Sequence, residues 1–184
     1  MSIIYGQHVR LRAVERADVE HFYDWVNDPD VTFGLALYLP ISREAEDHWY
    51  ERLAERDLNE RPLAVDVREG DGWRLIGNCA VFGIDWLARS GELGIMIGDK
   101  SAWGKGYGTE VIRLLTAHCF GTLNLNRVHL RVYAKNLRAR RSYQKAGLVE
   151  EGTLRQGVYK HGEYDDVIVM SILRDEWRAT GREG

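Results

Sequence analysis

The stretch Asp99–Leu115, DKSAWGKGYGTEVIRLL, is the part of this sequence best equipped for chemistry. Gly104, Gly106 and Gly108 alternate with Lys105 and Tyr107 directly ahead of a run with helical spacing. A strand, a glycine-rich turn and a helix in that order make an anion site, because the first N–H groups of the helix are unpaired, point the same way and lie at the positive end of its dipole. Glycine lets a phosphate come close to the backbone and tolerates positive φ. A triphosphate-binding loop requires G-x-x-x-x-G-K-[ST]. Here the gap from Gly98 to Gly104-Lys105 is one residue too long, and Gly106 stands where the hydroxyl belongs. A dinucleotide fingerprint requires G-x-G-x-x-G on the first strand of a βαβ unit. This pattern is G-x-G-x-G and lies mid-chain. Both fits are poor, and a nucleotide, a dinucleotide or another pyrophosphate stays open at this point.

The elements that must position this turn follow from hydrophobic period and punctuation. VRLRAV (Val9–Val14) alternates as a half-buried strand does, and Val19, Phe22, Tyr23 and Val26 then recur at helical spacing up to Asp28-Pro29. VTFGLALYLP is broken by glycine and closed by proline, which predicts a loop over the core. Ser42 is placed to cap a second helix with the stripe Ala45, Trp49 and Leu53. PLAVDVRE, GDG and WRLIGNCAVFGID read as a hairpin, and GELGIMIG (Gly91–Gly98) as a further strand before the glycine turn. The following helix carries Val111, Ile112, Leu115 and Cys119. A strand with Val128, Leu130 and Val132 on one face, a short helix ended by Gly147, and two strands around His161-Gly162 complete the chain. The order β-α-α-β-β-β-α-β-α-β-β predicts a mixed sheet with helices on its faces.

At 184 residues the chain is expected to form one domain with a proper core. No run of 18 apolar residues is present, so no transmembrane helix and no membrane partner are expected. The opening MSIIYGQHVRLR has no long apolar core of the signal-peptide kind. Cys79 and Cys119 are isolated, which fits buried thiols in a reducing cytoplasm. The six histidines show no paired spacing for a metal. A net charge of −3 carries no nucleic-acid signature. Its distribution is uneven, −7 over residues 1–90 and +4 over 91–184, an asymmetry suited to a cationic substrate with an anionic cofactor or simply to scattered surface charge.

Two motifs in order identify a resemblance. WGKGYG resembles the [QR]-x-x-G-x-[GA] loop of the GNAT acetyltransferases, the acyl-CoA-dependent N-acetyltransferases, with Gly106 and Gly108 at its glycine positions. Trp103 replaces the usual Gln or Arg, as in the RimJ/RimL branch. Downstream, Asn136, Ala139, Tyr143, Lys145 and Gly147 match N-x-x-[SA]-x-x-x-[YL]-x-K-x-G-F, with Leu148 in place of the aromatic. The resemblance is strong from Gly91 to Trp177 and weaker over the opening HVRLRAVERADVEHFYDWVND. It implies an α/β (α+β) fold: a single domain over residues 1–178, with 179–184 as a flexible tail. The sheet is expected to be mixed, mostly antiparallel, with about seven strands that splay apart between the fourth and the fifth.

The resemblance also implies a cosubstrate and roles. Acetyl-CoA would lay its pyrophosphate on the amides of Gly104, Lys105, Gly106, Tyr107, Gly108 and Thr109, beside Trp103. Its pantetheine would run along the backbone at Met96 and Gly98, with an N–H of Met96 or Ile97 facing the developing oxyanion. Tyr143 aligns with the general acid that returns a proton to the thiolate, and Asn136 with a pantetheine hydrogen-bond partner; Ala139 and Lys145 complete that face. Glu92, at the start of the fourth strand, is the expected base for the incoming amine, ahead of Asp85 and Glu163. Arg138, Arg140, Arg141 and Lys145 cannot all meet one phosphate on a helix of 3.6-residue period, although Arg141 and Lys145 share a face. No metal is expected in the reaction.

The acceptor is the least legible feature. Residues 25–56 combine aromatics with carboxylates, which suits a cationic amine, and Phe33, Tyr38, Trp49 and Tyr159 are the expected contacts. A polyamine or amino sugar ranks first and a protein N-terminus of the ribosomal-protein type second; a non-catalytic acyl-CoA sensor is the remaining alternative. Family members commonly form homodimers, and the resemblance extends to that.

Overall fold

The computed structural model describes residues 3–181; of the expected tail, residues 182–184 lie outside the described residues. The strands are β1 (Ile4–Tyr5), β2 (Val9–Ala13), β3 (Leu63–Glu69), β4 (Gly72–Asp85), β5 (Ser90–Ile97), β6 (Arg127–Tyr133), β7 (Val149–Lys160) and β8 (Glu163–Leu173). The helices are α1 (Val19–Val26), α2 (Pro29–Thr32), α3 (Arg43–Glu51), α4 (Tyr107–Gly121), α5 (Leu137–Ala146) and α6 (Arg174–Ala179). All eight strands join one sheet in the order β1-β2-β3-β4-β5-β6-β8-β7. The sheet is mixed: β5 and β6 run parallel, whereas β1–β2, β2–β3, β3–β4, β6–β8 and β7–β8 are antiparallel. The strand beyond the expected count is β1, two residues long and too short to show a period.

Two local readings are corrected. Asp28-Pro29 ends α1, yet the same dipeptide starts α2, so the predicted loop is helical as far as Thr32. Asp28 Oδ1 accepts from the Asp30 N–H at 2.9 Å, and proline suits a first helical position because its missing N–H has no partner to lose. After Leu173 the chain forms α6, where the N–H of Leu173 donates to Glu176 Oε2 at 2.8 Å.

The chain divides into two compact units. The first comprises the chain up to Ala80 together with Ile95–Val111, and the second Val81–Gly94 together with the chain from Ile112. In the first unit Phe22, Val31 and Met96 form a buried cluster joined by Trp25, Trp49, Leu75 and Trp103. Phe22 meets Trp49 edge-on at 5.8 Å between ring centroids. A bulge shapes this unit: Val65 pairs with Gly77 and Asp66 with Leu75, which leaves Ile76 as an extra residue on β4. The Ile76 carbonyl accepts from the N–H groups of both Gly98 (2.9 Å) and Asp99 (3.1 Å), and so ends β5.

In the second unit, Val128, Leu130 and Val132 bury one face of β6, as the period-2 pattern predicts. Among the described residues, the parallel pairing of β5 with β6 consists of Ser90–Arg127, Gly91–Val128 and Glu92–His129. It goes no further, although β6 runs on to Tyr133; this is the parting expected between the fourth and fifth strands. Gly91 is needed for packing, since a Cβ there would stand 2.9 Å from Val81 Cγ1.

Candidate active site

The glycine loop lies in the first unit. Asp99 caps a three-residue turn, Lys100–Ala102, by accepting from the Ser101 N–H, and it also pairs with Arg74. The Trp103 indole N–H donates to the Ile97 carbonyl at 2.7 Å, which ties the loop to the end of β5. Trp103 thus explains its departure from Gln or Arg: the indole fills the core cluster and fixes the loop at once. Gly104 (φ +75°) and Gly106 (φ +88°) both occupy the left-handed region, and a Cβ added to either would meet nothing within 4 Å. Their glycine identity therefore answers to backbone conformation and an open approach, not to crowding. The 15-residue α4 begins at Tyr107, and its first bond runs from the Glu110 N–H to the Gly106 carbonyl at 3.1 Å. Lys105 is exposed, Tyr107 and Gly108 are half-buried, and Thr109 is buried. An exposed, positive-φ loop leading into a long helix fits a pyrophosphate group.

The end of β5 is more constrained than the sequence suggests. Gly98 faces Trp25, where a Cβ would stand 2.0 Å from the indole. The Gly98 N–H donates to Ile76, so this residue offers a pantetheine only its carbonyl. The Ile97 carbonyl is likewise engaged by Trp103.

The other expected residues lie in the second unit. Asn136 Oδ1 accepts from the Ala139 N–H at 3.2 Å and caps α5; its amide NH2 group takes no part in that bond. Gly147 (φ +109°) ends the helix, where the N–H groups of Gly147 and Leu148 both donate to the Tyr143 carbonyl. Burial pushes the Tyr143 phenol up to about 12, with Arg138 opposing, so the hydroxyl stays protonated at neutral pH. Arg140 is half-buried and pairs with Glu150 at 2.7 Å, which removes it from the basic cluster, while Arg141 and Lys145 are exposed.

Glu92 is gripped by Arg131, Nε to Oε1 at 2.9 Å and Nη2 to Oε2 at 3.0 Å. His129 Nε2 stands 3.9 Å from the same carboxylate, and His129 Nδ1 is buried with no hydrogen-bond partner among the described residues. Sequence reasoning missed Arg131, because its place beside Glu92 depends on the register of β5 with β6, which neither strand encodes alone.

A profile of the acetyltransferase (GNAT) domain matches residues 8–149. The chain belongs to the GNAT acetyltransferase family. It is similar to the spermidine N(1)-acetyltransferase of Vibrio cholerae, 29% identical over 172 residues that cover 94% of this chain and 96% of the relative. It is also similar to YdaF of Bacillus subtilis, proposed as a ribosomal N-acetyltransferase, 28% identical over 180 residues and 94% of each chain. The crystal structure of the Vibrio cholerae spermidine N-acetyltransferase with CoA and spermine superposes with a TM-score of 0.83 at 28% identity, covering 94% of this chain and 99% of that one. This GNAT protein is accordingly an acetyl-CoA-dependent N-acetyltransferase.

Among the described residues no group of His, Cys, Asp and Glu could hold a metal ion, and no helix is long and apolar enough to cross a membrane. Both cysteines are buried, and burial pushes the Cys119 thiol up to about 12, which makes it inert.

The expected acceptor contacts are placed unequally. Phe33 and Tyr38 are exposed in the first unit, while Trp49 packs into the core against Phe22. Tyr159, in the second unit, is exposed and stands 4.9 Å from the Tyr164 ring. The first unit also holds a cavity of about 420 Å³ lined by His21, Trp25, Asp28, Arg74, Asp99 and Lys100 among others. Its carboxylates are already paired, Asp28 with Lys100 at 2.6 Å and Asp99 with Arg74.

Proposed function

We propose that this GNAT enzyme, of the RimJ/RimL-like branch, acetylates a primary amine of a small molecule in the cytoplasm, with a polyamine as the first candidate and an amino sugar as the second. Residues 1–178 act as its one functional domain. The observation that carries the reading is the loop at Gly104 and Gly106, whose backbone is open to an approaching pyrophosphate at the start of α4. The polyamine preference draws support from the likeness to a protein crystallised with CoA and spermine.

In the proposed reaction the amine nitrogen forms a bond to the thioester carbon and the C–S bond breaks. The amine must first lose a proton. Glu92 takes it, directly or through a water, because each oxygen held by Arg131 keeps a second lone pair. Tyr143 returns a proton to the leaving thiolate. Asn136 orients the pantetheine with the amide that capping leaves over. Met96 or Ile97 supplies the N–H for the developing oxyanion, Gly98 contributes its carbonyl, and Ala139 and Lys145 line the coenzyme. Phe33, Tyr38 and Trp49 contact the acceptor, and Tyr159 is a further aromatic contact. Transfer from thioester to amine is chemically complete without a metal. No nucleic acid or membrane takes part, and the protein pairs as a homodimer, which sedimentation checks.

Calorimetric titration of acetyl-CoA, with ATP and NAD as controls, tests the loop; a panel of spermidine, amino sugars and N-terminal peptides tests the acceptor. Selective acetyl-CoA binding is expected, and it should be lost in Gly106→Val. Binding of ATP or NAD alone would overturn the loop assignment. Turnover confined to the peptides would favour the protein N-terminus, the reading that the similarity to YdaF supports. Tight binding without turnover of any amine would favour a sensor.

A further inference from the structure

Glu110 sits in the first turn of α4, immediately after the glycine loop, and no role for it follows from the family motif. Its Oε1 accepts from the His8 N–H at 2.8 Å and from the Val9 N–H at 3.3 Å, and its Oε2 is 3.0 Å from His8 Nδ1. The backbone N–H of Glu110 donates to the Gly106 carbonyl. One residue thus joins the loop glycine to the first residues of β2. His8 is fixed in turn, because its carbonyl accepts from the Arg68 N–H of β3 at 2.8 Å. The His8 and Tyr107 rings also lie 6.4 Å apart, so two residues of the α4 start meet the same neighbour.

We propose that Glu110 is a positioning residue that holds the coenzyme loop by clamping the first turn of α4 to the start of β2. The inference rests on the loop's binding the acetyl-CoA pyrophosphate. Gly104 and Gly106 give the loop backbone freedom, and that freedom costs affinity unless something fixes the amides before the ligand arrives. The Glu110 carboxylate meets two backbone N–H groups and one ring nitrogen, so its two oxygens suit the clamp. Both backbone N–H groups meet Oε1, so a glutamine can keep them only as weaker, uncharged bonds, with its NH2 group turned toward His8 Nδ1.

Simple electrostatics predicts the opposite sign. A carboxylate in the first turn of the helix that receives an anion should repel it, so neutralising the charge should tighten binding. The clamp predicts that the same substitution weakens binding, and the sign decides between the two.

The experiment is calorimetric titration of acetyl-CoA into wild type, Glu110→Gln, Glu110→Asp and His8→Ala, with the KM for acetyl-CoA and for the best amine of the panel measured in parallel. Glu110→Gln should raise the Kd and the KM for acetyl-CoA by about tenfold, as expected when charge-assisted bonds become neutral ones, with the amine KM unchanged. Glu110→Asp keeps the charge but shortens the reach, and should act in the same direction. It also serves if the glutamine variant fails to fold. His8→Ala retains both backbone donors and should shift the Kd by no more than about threefold. Equal or tighter binding by Glu110→Gln or Glu110→Asp overturns the proposal, as does an equal rise in the amine KM, which would mark general loosening. If wild type itself fails to bind acetyl-CoA, the coenzyme assignment fails, and the clamp falls with it; that outcome is recognisable before any variant is compared.

Discussion

Asp66 and Glu92 are both carboxylates gripped by arginine, and they serve different ends. Asp66, on β3, is 2% exposed and accepts from Arg10 Nε (2.8 Å), Arg12 Nε (2.8 Å) and Arg12 Nη2 (3.1 Å). Arg12 reaches on to the buried Asp18 at 2.7 and 2.8 Å, and these neighbours raise its already high pKa further. Glu92, on β5, has a side chain 17% exposed and accepts two bonds from Arg131, a residue itself more than half exposed. The chemistry of the pairs is the same; the access of solvent differs. A buried carboxylate surrounded by donors is committed to structure, since removing one partner strands the others. A carboxylate that still meets solvent keeps lone pairs for a water or an amine.

The largest expected effect tests the buried member. Asp66→Asn leaves two guanidinium groups facing a neutral amide and should cost about 3–5 kcal/mol of stability, read from the urea midpoint. Acetyl-CoA affinity of the folded protein should stay near that of wild type. A loss under about 1 kcal/mol would show that Arg10 and Arg12 find water instead. Glu92→Gln should reverse the pattern: little change in stability, a turnover lower by about 100-fold, and near-normal acetyl-CoA binding. The deficit should be greatest at low pH, where the acceptor is fully protonated, and narrow as pH approaches the pKa of the amine. A parallel pH–rate profile in both proteins would remove Glu92 from the mechanism.

Tyr143→Phe sharpens the contrast from the acid side. With its phenol pushed up to about 12, Tyr143 holds its proton across the working range and can donate without ionising beforehand. Turnover should fall by about 10–100-fold, with the acetyl-CoA Kd nearly unchanged, because the ring remains. Unaltered turnover would leave Tyr143 a packing residue and the thiolate to solvent.

How much of this was legible depended on the range of the interaction. Local signals were plain: the Ser42 and Asn136 caps, Gly147 at the end of α5, and the His161-Gly162 turn all follow from chemistry within four residues. The motif residues were legible for the same reason, since the loop is one short segment of sequence and the cap another. The Ile76 bulge was not, because it is defined by a register between β3 and β4 that no single strand encodes. Nor was the clamp on Glu110, whose partners lie 101 and 102 residues away. Gly98 read as a backbone partner of the pantetheine, whereas its lack of a side chain makes room for Trp25, 73 positions earlier in the sequence. Pairing with a distant partner leaves no periodic trace, so arginine–carboxylate grips such as Asp66 and Glu92 stayed invisible.

Glu46 offers the smallest effect and the third case of the comparison. It lies on α3, is 7% exposed, and has its carboxyl raised above the ordinary 4.5, chiefly by burial and further by Asp47. The sign follows from linkage. A folded-state pKa above the unfolded one means that the folded protein holds the proton more tightly, so stability declines as pH rises through the window above 4.5. At neutral pH that cost is fully present. Glu46→Gln should remove it, with a gain of about 1 kcal/mol, or a Tm higher by ~2–4 °C for a chain of this size. By about pH 4 the gain should have vanished, since the carboxyl is then largely protonated in both states. A gain that persists at low pH would point to packing and not charge. No gain at pH 7 would mean that Glu46 is compensated as Asp66 is, and burial alone would then no longer separate carboxylates held for structure from those left free to act.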